Sequence, residues 1–324
     1  MPKVSVIVPV YKVEKYIEKC VRSLFGQTLD DIEYIFVNDC TPDTSMEVLQ
    51  NVLEEYPVRK SQVKILNHTV NTGQSGARRD GMRKATGDFI IHCDADDWVE
   101  QDMYEKMYRK AVDDGADAVC CDMVIEEKDS QKHLIYNNLF SDHKLMYACI
   151  APISVVYCSM CNRLISRKIY DQYSIEPFPG VNMWDDVGLS IRFRYYIRKS
   201  VVINESLYHY NRQNDNSTTR RPVLSRIQEQ IECAKKLELF FTEENESKRY
   251  GKFISLVKQV AKIDLFYVDL DLWRSTFPET RKDIGILKQC SKWMRVKMQI
   301  VAYGGVELYK MGLTLRNSFH IKNI

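Results

Sequence analysis

Short β-branched runs alternate with helical patterns over the first 125 residues, an order that few fold classes accommodate. The run 4–8 is rich in valine and isoleucine and ends at Pro9, as is typical of a buried strand. Apolar residues recur at helical spacing over 14–26, and Gly26 closes that pattern. The same criteria predict further strands at 33–37, 63–66, 88–93 and 118–125. They also predict helices at 43–56, 75–85 and 100–114. This alternation predicts an α/β protein with a parallel, doubly wound sheet.

The pattern changes character after the polar, turn-rich segment 211–221, where Pro222 precedes a different kind of sequence. Charged and apolar positions alternate over 223–324 in a way that is typical of helices. A chain of 324 residues has room for two ordinary domains. We therefore predict an α/β domain over 1–222 and a mainly helical C-terminal region over 223–324.

The bulk composition argues against nucleic-acid binding and against a membrane-spanning chain. The net charge is only +2, so the chain as a whole has no signature of polyanion binding. No window reaches the roughly 18 uninterrupted apolar residues that a spanning helix needs. The ten cysteines have no regular spacing, and residues 1–10 lack the pattern of a secretory signal peptide. We therefore expect a cytoplasmic protein in a reducing environment.

Polar or acidic residues come directly after three of the predicted strands: Pro9 and Tyr11, then Asp39, then Asp94, Ala95, Asp96 and Asp97. The carboxyl ends of parallel strands meet at the edge of the sheet where α/β proteins bind their ligands. Three carboxylates in four positions favour a hard divalent cation, which neutralises the phosphates of a bound nucleotide. A solvated acidic turn is the alternative interpretation, and the position at a strand end argues against it.

A polar loop containing Asn71 and Gly73 leads into the predicted helix that carries Arg78. Glycine allows close backbone approach, and a helix start beside an arginine favours an anion. An ordinary capped helix with exposed arginines is an equally good interpretation of this segment alone. A further acidic pair, Asp185 and Asp186, begins another helical run. A carboxylate in that place either complements the helix dipole or serves as a general base beside a substrate cleft.

Taken together and in this order, these segments resemble the motifs of glycosyltransferase family 2 over about residues 3–220. The resemblance implies a GT-A fold, a Rossmann-like, doubly wound mixed sheet that binds nucleotide-diphosphate sugars, within 1–222. It further implies an inverting sugar transfer from such a donor, a UDP-sugar in our interpretation, to an acceptor hydroxyl. The acceptor is then a carbohydrate or a lipid-linked carbohydrate in polysaccharide or glycolipid synthesis, and the cofactor is Mn²⁺ or Mg²⁺.

The resemblance also assigns a role to each matching position. The nucleotide and the donor sugar are bound by Pro9, Tyr11, Asp39, Asn71, Gly73, Arg78, Asp94, Ala95, Asp96 and Asp97. Within this set Asp39 hydrogen-bonds the base, while Asp94 and Asp96 form the metal-binding Asp-x-Asp element. The acceptor hydroxyl is deprotonated by an aspartate of the second acidic pair. Asp185 stands where the family usually has glutamate, which leaves the choice between Asp185 and Asp186 open, and we favour Asp186.

His209 is a third candidate metal ligand beside Asp94 and Asp96. It ends a strand-like run in a region where the family often has aromatic and basic residues near the diphosphate. A histidine that is merely packed or hydrogen-bonded is the alternative. Cys40 and Thr41 depart from the family pattern, which commonly has glycine and serine after the nucleobase aspartate, and we expect this departure to change the local backbone.

Basic residues in the segment 288–310 are interleaved with Trp293, Met294, Met298, Ile300, Val301 and Tyr303. This pattern is typical of an amphipathic helix that lies on an anionic membrane. Peripheral contact with the inner face of the plasma membrane through the C-terminal region is therefore one hypothesis. Packing of the helix on its own domain or on a partner is the other.

Three rival functions remain to be weighed against sugar transfer. A sugar-nucleotide pyrophosphorylase would need a glycine-rich loop near the N-terminus, and a dinucleotide-dependent oxidoreductase would need Gly-x-Gly-x-x-Gly after the first strand. The sequence has neither, because Pro9, Val10 and Tyr11 stand at that point. A nucleotide-sugar-binding scaffold without catalysis is the third rival, and the presence of every expected carboxylate argues against it.

Overall fold

The computed structural model describes residues 1–136, 146–150, 155–214 and 223–309. The chain divides into two compact units, Met1–Arg220 and Arg221–Ile324. Among the described residues, no helix combines the length and the apolar character that crossing a bilayer requires.

A mixed β-sheet forms the centre of the first unit. Its described strands are β1 Val4–Val10, β2 Ile32–Asn38, β3 Val63–Asn67, β4 Phe89–His92, β5 Trp98–Val99, β6 Ala118–Glu126, β7 Gln131–Leu134, β8 Arg163–Ser166 and β9 Ser200–Asn211. The order across the sheet is β3-β2-β1-β4-β8-β6-β9-β5, and β7 pairs with β6. Strands β1 to β4 are mutually parallel where they pair, whereas β8 runs antiparallel to both β4 and β6.

The parallel half of the sheet confirms the strand predictions, and the mixed half shows where pattern reading alone fell short. The predicted parallel sheet lacked β8, which is only four residues long and lies between β4 and β6. A run of that length is too short to be recognised by periodicity. Its antiparallel insertion changes the parallel sheet into the mixed sheet that the family resemblance implied.

Helices connect the strands of this unit. They are α1 Ile17–Phe25, α2 Ser45–Glu55, α3 Gly73–Lys84, α4 Met103–Asp114, α5 Val155–Cys158, α6 Arg167–Tyr173 and α7 Asp185–Tyr196, with a 3₁₀ turn at Pro57–Gln62. Alternate residues of β1 enter different apolar clusters, since Val6 and Val8 pack with α1, whereas Ile7 packs with residues of α3 and α7. A central strand that is buried on both faces is the reason for its unbroken apolar run.

Helix α3 lies close against the sheet at Gly81. A Cβ atom on Gly81 would lie 2.5 Å from Ile7 and 3.3 Å from Val37. Those contacts are too short for any larger side chain, so Gly81 allows the helix to lie directly against β1 and β2. The close approach brings Arg78, one turn earlier on α3, to the edge of the sheet.

The second unit is helical over its described residues, as predicted. Its helices are α8 Val223–Glu243, α9 Ser247–Ala261, α10 Leu265–Val268, α11 Leu270–Ser275 and α12 Lys292–Ala302, with a 3₁₀ turn at Pro278–Ile286. They enclose an apolar core of their own that includes Trp273, Ile284 and Met298. A separate core is what allows this unit to be a compact body in its own right.

Candidate active site

The carboxyl ends of β1, β2 and β4 lie together at one edge of the sheet. The parallel register pairs Val10 with Asn38, and the backbone N–H of Asp39 donates to the carbonyl oxygen of Val10 at 3.1 Å. On the other side of β1, the N–H of Cys93 donates to the carbonyl oxygen of Ile7 at 2.9 Å. The segments that follow these strands, which contain the predicted donor-binding residues, therefore start from neighbouring positions.

Asp39 is buried and organises the loop that leads into α3. Its Oδ1 atom lies 2.8 Å from Nδ1 of His68 and accepts from the N–H and the hydroxyl of Thr72 at 2.8 and 2.9 Å. Its Oδ2 atom accepts from the N–H of Gly73 at 2.8 Å. The side-chain amide of Asn71 donates to the carbonyl oxygen of Asp39 at 3.3 Å. Each oxygen of a carboxylate has two lone pairs. Oδ2 accepts one bond among the described residues, so its second lone pair is left for an external donor.

Pro9 and Tyr11 lie beside this loop at the end of β1. Pro9 is the partly exposed position of an otherwise buried strand, and Tyr11 is 40% exposed. The backbone N–H of Lys12 donates to the hydroxyl of Thr41 at 2.8 Å, which ties the loop after β1 to the loop after β2. Cys40 in the second loop has a φ of 57°, a left-handed conformation that favours glycine. The position where the family commonly has glycine thus keeps a glycine-like backbone despite the cysteine.

Arg78 is a buried cation that joins two carboxylates from distant parts of the chain. Its Nη2 atom donates to Oδ1 of Asp94 at 2.7 Å, and its Nη1 atom donates to Oδ2 of Asp185 at 2.7 Å. Burial by itself lowers the pKa of Arg78, but the two carboxylates outweigh burial and raise that pKa above its ordinary value. We call these three side chains the ion triad. It fixes the start of α7 next to the acidic segment 94–97.

The loop before α7 also contacts the start of α3. The N–H and the hydroxyl of Ser75 both donate to Oδ1 of Asn182 at 3.1 Å. Gly73 has a φ of 77°, and a Cβ atom there would lie 2.3 Å from the Asn182 side chain, so only glycine fits. The side-chain amide of Gln74 donates to Oδ1 of Asp94 at 3.0 Å. A continuous series of contacts thus runs from the loop after β2, through α3, to the acidic segment and α7.

The end of β9 holds the other two acidic residues of the segment 94–97. Oδ2 of Asp97 accepts from the hydroxyl of Tyr208, and Oδ1 of Asp97 accepts from the N–H of Asn211 at 2.7 Å. Oδ2 of Asp96 accepts from the side-chain amide of Asn214 at 2.7 Å. Asp97 is buried, and Asp96 is partly exposed. The two side chains are therefore held by β9 and by the residues that directly follow it, more than a hundred positions further along the chain.

Two carboxyl groups of this segment, those of Asp96 and Asp97, have raised pKa values. Burial raises the pKa of Asp96 to about 6, and the nearby charge of Asp94 adds to the shift. Burial together with Asp96 and Asp94 also raises the pKa of Asp97 well above its usual range. Ala95, between them, is buried and uncharged. A divalent cation beside Asp94 and Asp96 would offset this repulsion, which gives the acidic segment a chemical reason to bind one.

The carboxylates of the acidic segment fit a cation site in which a bound ligand and water supply the remaining coordination positions. Across 1–136, 146–150, 155–214 and 223–309, no three His, Cys, Asp or Glu residues are arranged to hold a metal by themselves. Mg²⁺ in nucleotide-dependent enzymes is commonly bound by one or two carboxylates, with substrate phosphates and water as the other ligands. Asp94 and Asp96 are two such carboxylates, so the residues present fit a cation of this type.

Tyr208 is a positioning residue for the acidic segment, and its hydroxyl gives a testable prediction. The hydroxyl donates to the buried Asp97 and accepts from the backbone N–H of Asp94 at 3.3 Å. Replacing Tyr208 with phenylalanine leaves both groups without this partner, so we expect a loss of about 1–3 kcal/mol in the free energy of unfolding. Urea denaturation measures this loss. Tyr210→Phe, which removes a hydroxyl from the same strand, is the control, and an equal loss in both variants would contradict the assignment.

His209 lies on the opposite face of β9 from Tyr208, because successive side chains of a strand point to opposite sides. Its ring stacks on Trp98 with the centroids 5.2 Å apart. Its Nδ1 atom lies 2.7 Å from Glu126 and its Nε2 atom 2.8 Å from Glu100. Both ring nitrogens therefore have carboxylate partners elsewhere. The structure does not bring His209 to the predicted metal ligands, and the alternative of a hydrogen-bonded, packed histidine describes it.

Asp185 and Asp186 differ in exposure and in partners. Asp185 is buried, and Arg78 occupies its Oδ2 atom at 2.7 Å. Asp186 is partly exposed, with Oδ1 accepting from the N–H of Val187 at 2.8 Å and Oδ2 from the thiol of Cys158 at 3.5 Å. Burial raises the pKa of both carboxyl groups, and Arg78 opposes that rise. Asp186 thus combines solvent access with a raised proton affinity, the properties that a general base needs.

Sequence reasoning missed several residues that shape this site. They are the ones that hold the predicted residues in place: His68, Thr72, Gln74, Asn182, Tyr208, Asn211 and Asn214. Thr72 and Gln74 lie inside the predicted polar loop and could have been singled out there. Tyr208, Asn211 and Asn214 lie in or next to the strand-like run that includes His209, which the sequence singled out without assigning them a role. His68 and Asn182 lie in segments with no distinguishing pattern, and only the folded chain brings them to the site.

A doubly wound sheet with carboxylates and a buried arginine at its strand ends defines a class of α/β proteins that bind nucleotides at this edge. The model of the family described as glycosyl transferase family 2 matches residues 5–174. The chain belongs to this family, and the enzyme class that the motifs implied is confirmed. EpsJ of Bacillus subtilis (strain 168), described as an uncharacterized glycosyltransferase, is 29% identical over 72% of this chain. The matched segment spans 67% of EpsJ, 60% of EpsH of Bacillus subtilis (strain 168) and 30% of GlyA of Streptococcus pneumoniae serotype 4.

Solved structures confirm the GT-A fold. The structure of residues 1–349 of S. aureus TarS in complex with UDP-GlcNAc superposes with a TM-score of 0.70, at 15% identity, over 99% of this chain and 92% of that TarS fragment. The mannosyltransferase PcManGT from Pyrobaculum calidifontis, in complex with GDP-Man and Mn²⁺, gives a TM-score of 0.52 at 16% identity, over 94% of this chain and 87% of PcManGT. At these identities the likeness extends to the fold alone.

Proposed function

We propose that this chain catalyses an inverting, metal-assisted transfer of a sugar from a nucleotide-diphosphate sugar to an acceptor hydroxyl. The observation that supports the proposal is the ion triad, because it ties the start of α7, the helix that carries Asp186, to the acidic segment 94–97. In the reaction, the acceptor oxygen bonds to the anomeric carbon as the bond from that carbon to the diphosphate oxygen breaks. Asp186 takes the acceptor's proton, and the diphosphate leaves with the electron pair. One in-line displacement of this kind inverts the anomeric centre.

The nucleotide of the donor is proposed to bind at the loops after β1 and β2. Oδ2 of Asp39 retains an acceptor position, which suits an N–H group on the edge of a nucleobase. Uracil has such a group at N3, and we propose a UDP-sugar as the donor, as in the complex of TarS with UDP-GlcNAc. Pro9 and Tyr11 would border the base. Asn71 and Gly73, whose positions depend on Asp39, would form the adjoining wall of the same pocket.

Asp94 and Asp96 would hold the cation, Mn²⁺ or Mg²⁺, with Mn²⁺ present in the PcManGT complex. Such a cation supplies charge neutralisation on the departing diphosphate. Arg78 holds Asp94 in place, and Tyr208 and its neighbours on β9 hold the end of the acidic segment. Asp97 is buried, and we propose that it holds the acidic segment in place on the side where the donor sugar binds. We omit His209 from this proposed cation site.

We propose that 1–222 is the catalytic domain and that 223–324 is a helical region with another role. All the residues assigned above belong to the first of these segments. The acceptor is proposed to be a carbohydrate or a lipid-linked carbohydrate, with the reaction on the cytoplasmic side of the cell envelope in polysaccharide or glycolipid synthesis. This context rests on the family resemblance.

Donor hydrolysis tests the proposal without knowledge of the acceptor. Wild-type protein should release nucleotide diphosphate from a UDP-sugar in the presence of Mn²⁺ and should lose this activity in EDTA. Asp96→Asn should lower the rate by about 10²-fold or more, because transition-state charge on the diphosphate loses its counter-charge. Asp113→Asn, an exposed change on α4, is the control. Full activity of Asp96→Asn, or turnover in EDTA, would refute metal assistance, and no turnover with any UDP- or GDP-sugar would refute sugar transfer.

A further inference from the structure

Helix α12 has apolar side chains on two opposite faces. Met298, Val301 and Ala302 are buried and pack in the core of the second unit. On the other face four large apolar side chains are exposed, with fractional exposures of 77%, 36%, 38% and 66% for Trp293, Val296, Ile300 and Tyr303. A helix with one apolar face needs no partner beyond its own core. Within residues 223–309, which are the described part of this unit, the packing of the core does not account for the second face.

The exposed side chains form one narrow stripe along the helix. Their spacings are three, four and three residues, which place them on a single face that rises over about 15 Å. The amphipathic pattern in the sequence had combined this stripe with Met298 and Val301, which instead point into the core. The structure thus separates the core-facing residues from those that are available to a partner.

Basic residues flank the stripe, and acidic residues are absent from this part of the chain. Between Ile284 and Val306 the sequence has four Lys or Arg residues and no Asp or Glu. Lys292 and Lys297 lie on α12 on either side of the stripe, by their positions in the helical repeat. Arg295 has a structural task, because its Nη1 atom donates to the carbonyl oxygens of neighbouring residues at 3.2 and 2.6 Å. Lys310, the end of the predicted basic stretch, lies outside the described residues.

We propose that the α12 face, consisting of Trp293, Val296, Ile300 and Tyr303 with Lys292 and Lys297, docks on an anionic lipid bilayer. Valine and isoleucine enter the boundary between headgroups and acyl chains, where tryptophan and tyrosine are also favoured. The lysines extend outward to the anionic headgroups while their stems cover apolar surface. The proposal concerns the second unit alone and does not depend on the chemistry of the active site.

The size and charge of the α12 face favour a lipid surface over a second copy of the chain. A stable protein interface uses about 20–30 residues on each side, whereas this stripe has four apolar side chains. Two copies meeting through this face would also bring like-charged lysines together, which is unfavourable. An anionic bilayer has neither limitation, because it supplies the opposite charge and accepts a single helix face.

Vesicle sedimentation with the full chain tests the proposal. The protein should sediment with phosphatidylcholine vesicles that contain phosphatidylglycerol, and at least tenfold less with phosphatidylcholine alone. The double variant Trp293→Glu/Ile300→Glu should bind the anionic vesicles roughly tenfold or more weakly. Lys292→Gln and Lys297→Gln should each weaken binding by about fivefold. Leu239→Glu, which changes an exposed leucine of α8, should bind as the wild type does.

Circular dichroism and thermal midpoints of all variants establish that the chains are folded. A loss of binding is then due to the changed α12 face and not to unfolding. Equal sedimentation of the double variant and Leu239→Glu, or equal binding to both kinds of vesicle, would overturn the proposal. Size-exclusion chromatography with light scattering tests the other possible partner of the α12 face, a second copy of the chain. A wild-type dimer that Trp293→Glu/Ile300→Glu converts to a monomer, without vesicle binding by either, would assign the face to a second copy instead.

Discussion

Replacing Asp186 with asparagine is expected to lower kcat for Mn²⁺-dependent donor hydrolysis by about 10²–10⁴-fold, the usual contribution of a general base. Asparagine keeps the size and the hydrogen bond to the N–H of Val187 but does not accept the proton of the attacking water. Donor affinity should change little, because Asp186 lies across from the diphosphate side in the proposed reaction. Rates and donor dissociation constants, measured on the same protein preparations, separate the two effects.

The choice between Asp185 and Asp186 gives this prediction its control. Asp185→Asn weakens the ion triad, so we expect a lower thermal midpoint, whereas Asp186→Asn should leave the midpoint nearly unchanged. The pH profile supplies a second readout. Because burial raises the pKa of Asp186, the wild-type rate should decline with falling pH from above the ordinary range of an aspartate. Undiminished hydrolysis by Asp186→Asn would exclude it as the base.

The sequence predicted the site residues that a local pattern marks. It did not predict the contacts between segments that are far apart in the chain. Asp39 and the segment 94–97 were recognisable because a strand ends just before each of them. The triad contact between Arg78 and Asp185 spans 107 positions, and the contact of Tyr208 with Asp97 spans 111. No periodicity or motif encodes which distant side chain completes such a pair. The fold topology determines it, by bringing α7 and β9 to the ends of β1 and β4.

His209 shows the same limit for a residue that the sequence did single out. Its chemistry suits a metal ligand, and its place in a region where the family often has aromatic and basic residues suggested the diphosphate side. In a strand, however, adjacent residues such as Tyr208 and His209 face opposite sides, so only one of the two can reach the acidic segment. Which one does so depends on the register of β9 with β5, in which His209 lies opposite Trp98. A one-residue change of register would exchange the two side chains.

Replacing Arg78 with methionine is expected to destabilise the chain by about 3–5 kcal/mol, because it leaves two carboxylates without their buried counter-charge. For a domain of this size that loss corresponds to a decrease of about 6–20 °C in the thermal midpoint. Arg83→Met on the same helix is the matched control. Arg83 pairs with Glu176 at 2.6 and 2.7 Å, but its side chain is 57% exposed. An exposed pair of that kind contributes at most about 1 kcal/mol.

The dependence of this destabilisation on pH distinguishes lost charge from lost packing. Burial raises the pKa of Asp185, and Arg78 opposes the rise, so removing Arg78 raises that pKa further. A folded-state pKa above the unfolded value favours the folded state at low pH and penalises it as pH increases through the raised pKa. The difference in stability between Arg78→Met and wild type should therefore shrink as the pH is lowered from 8 towards about 5 in thermal melts. A difference that stays constant over this range would mean that the guanidinium acts by filling space, and the electrostatic role of the ion triad would have to be given up.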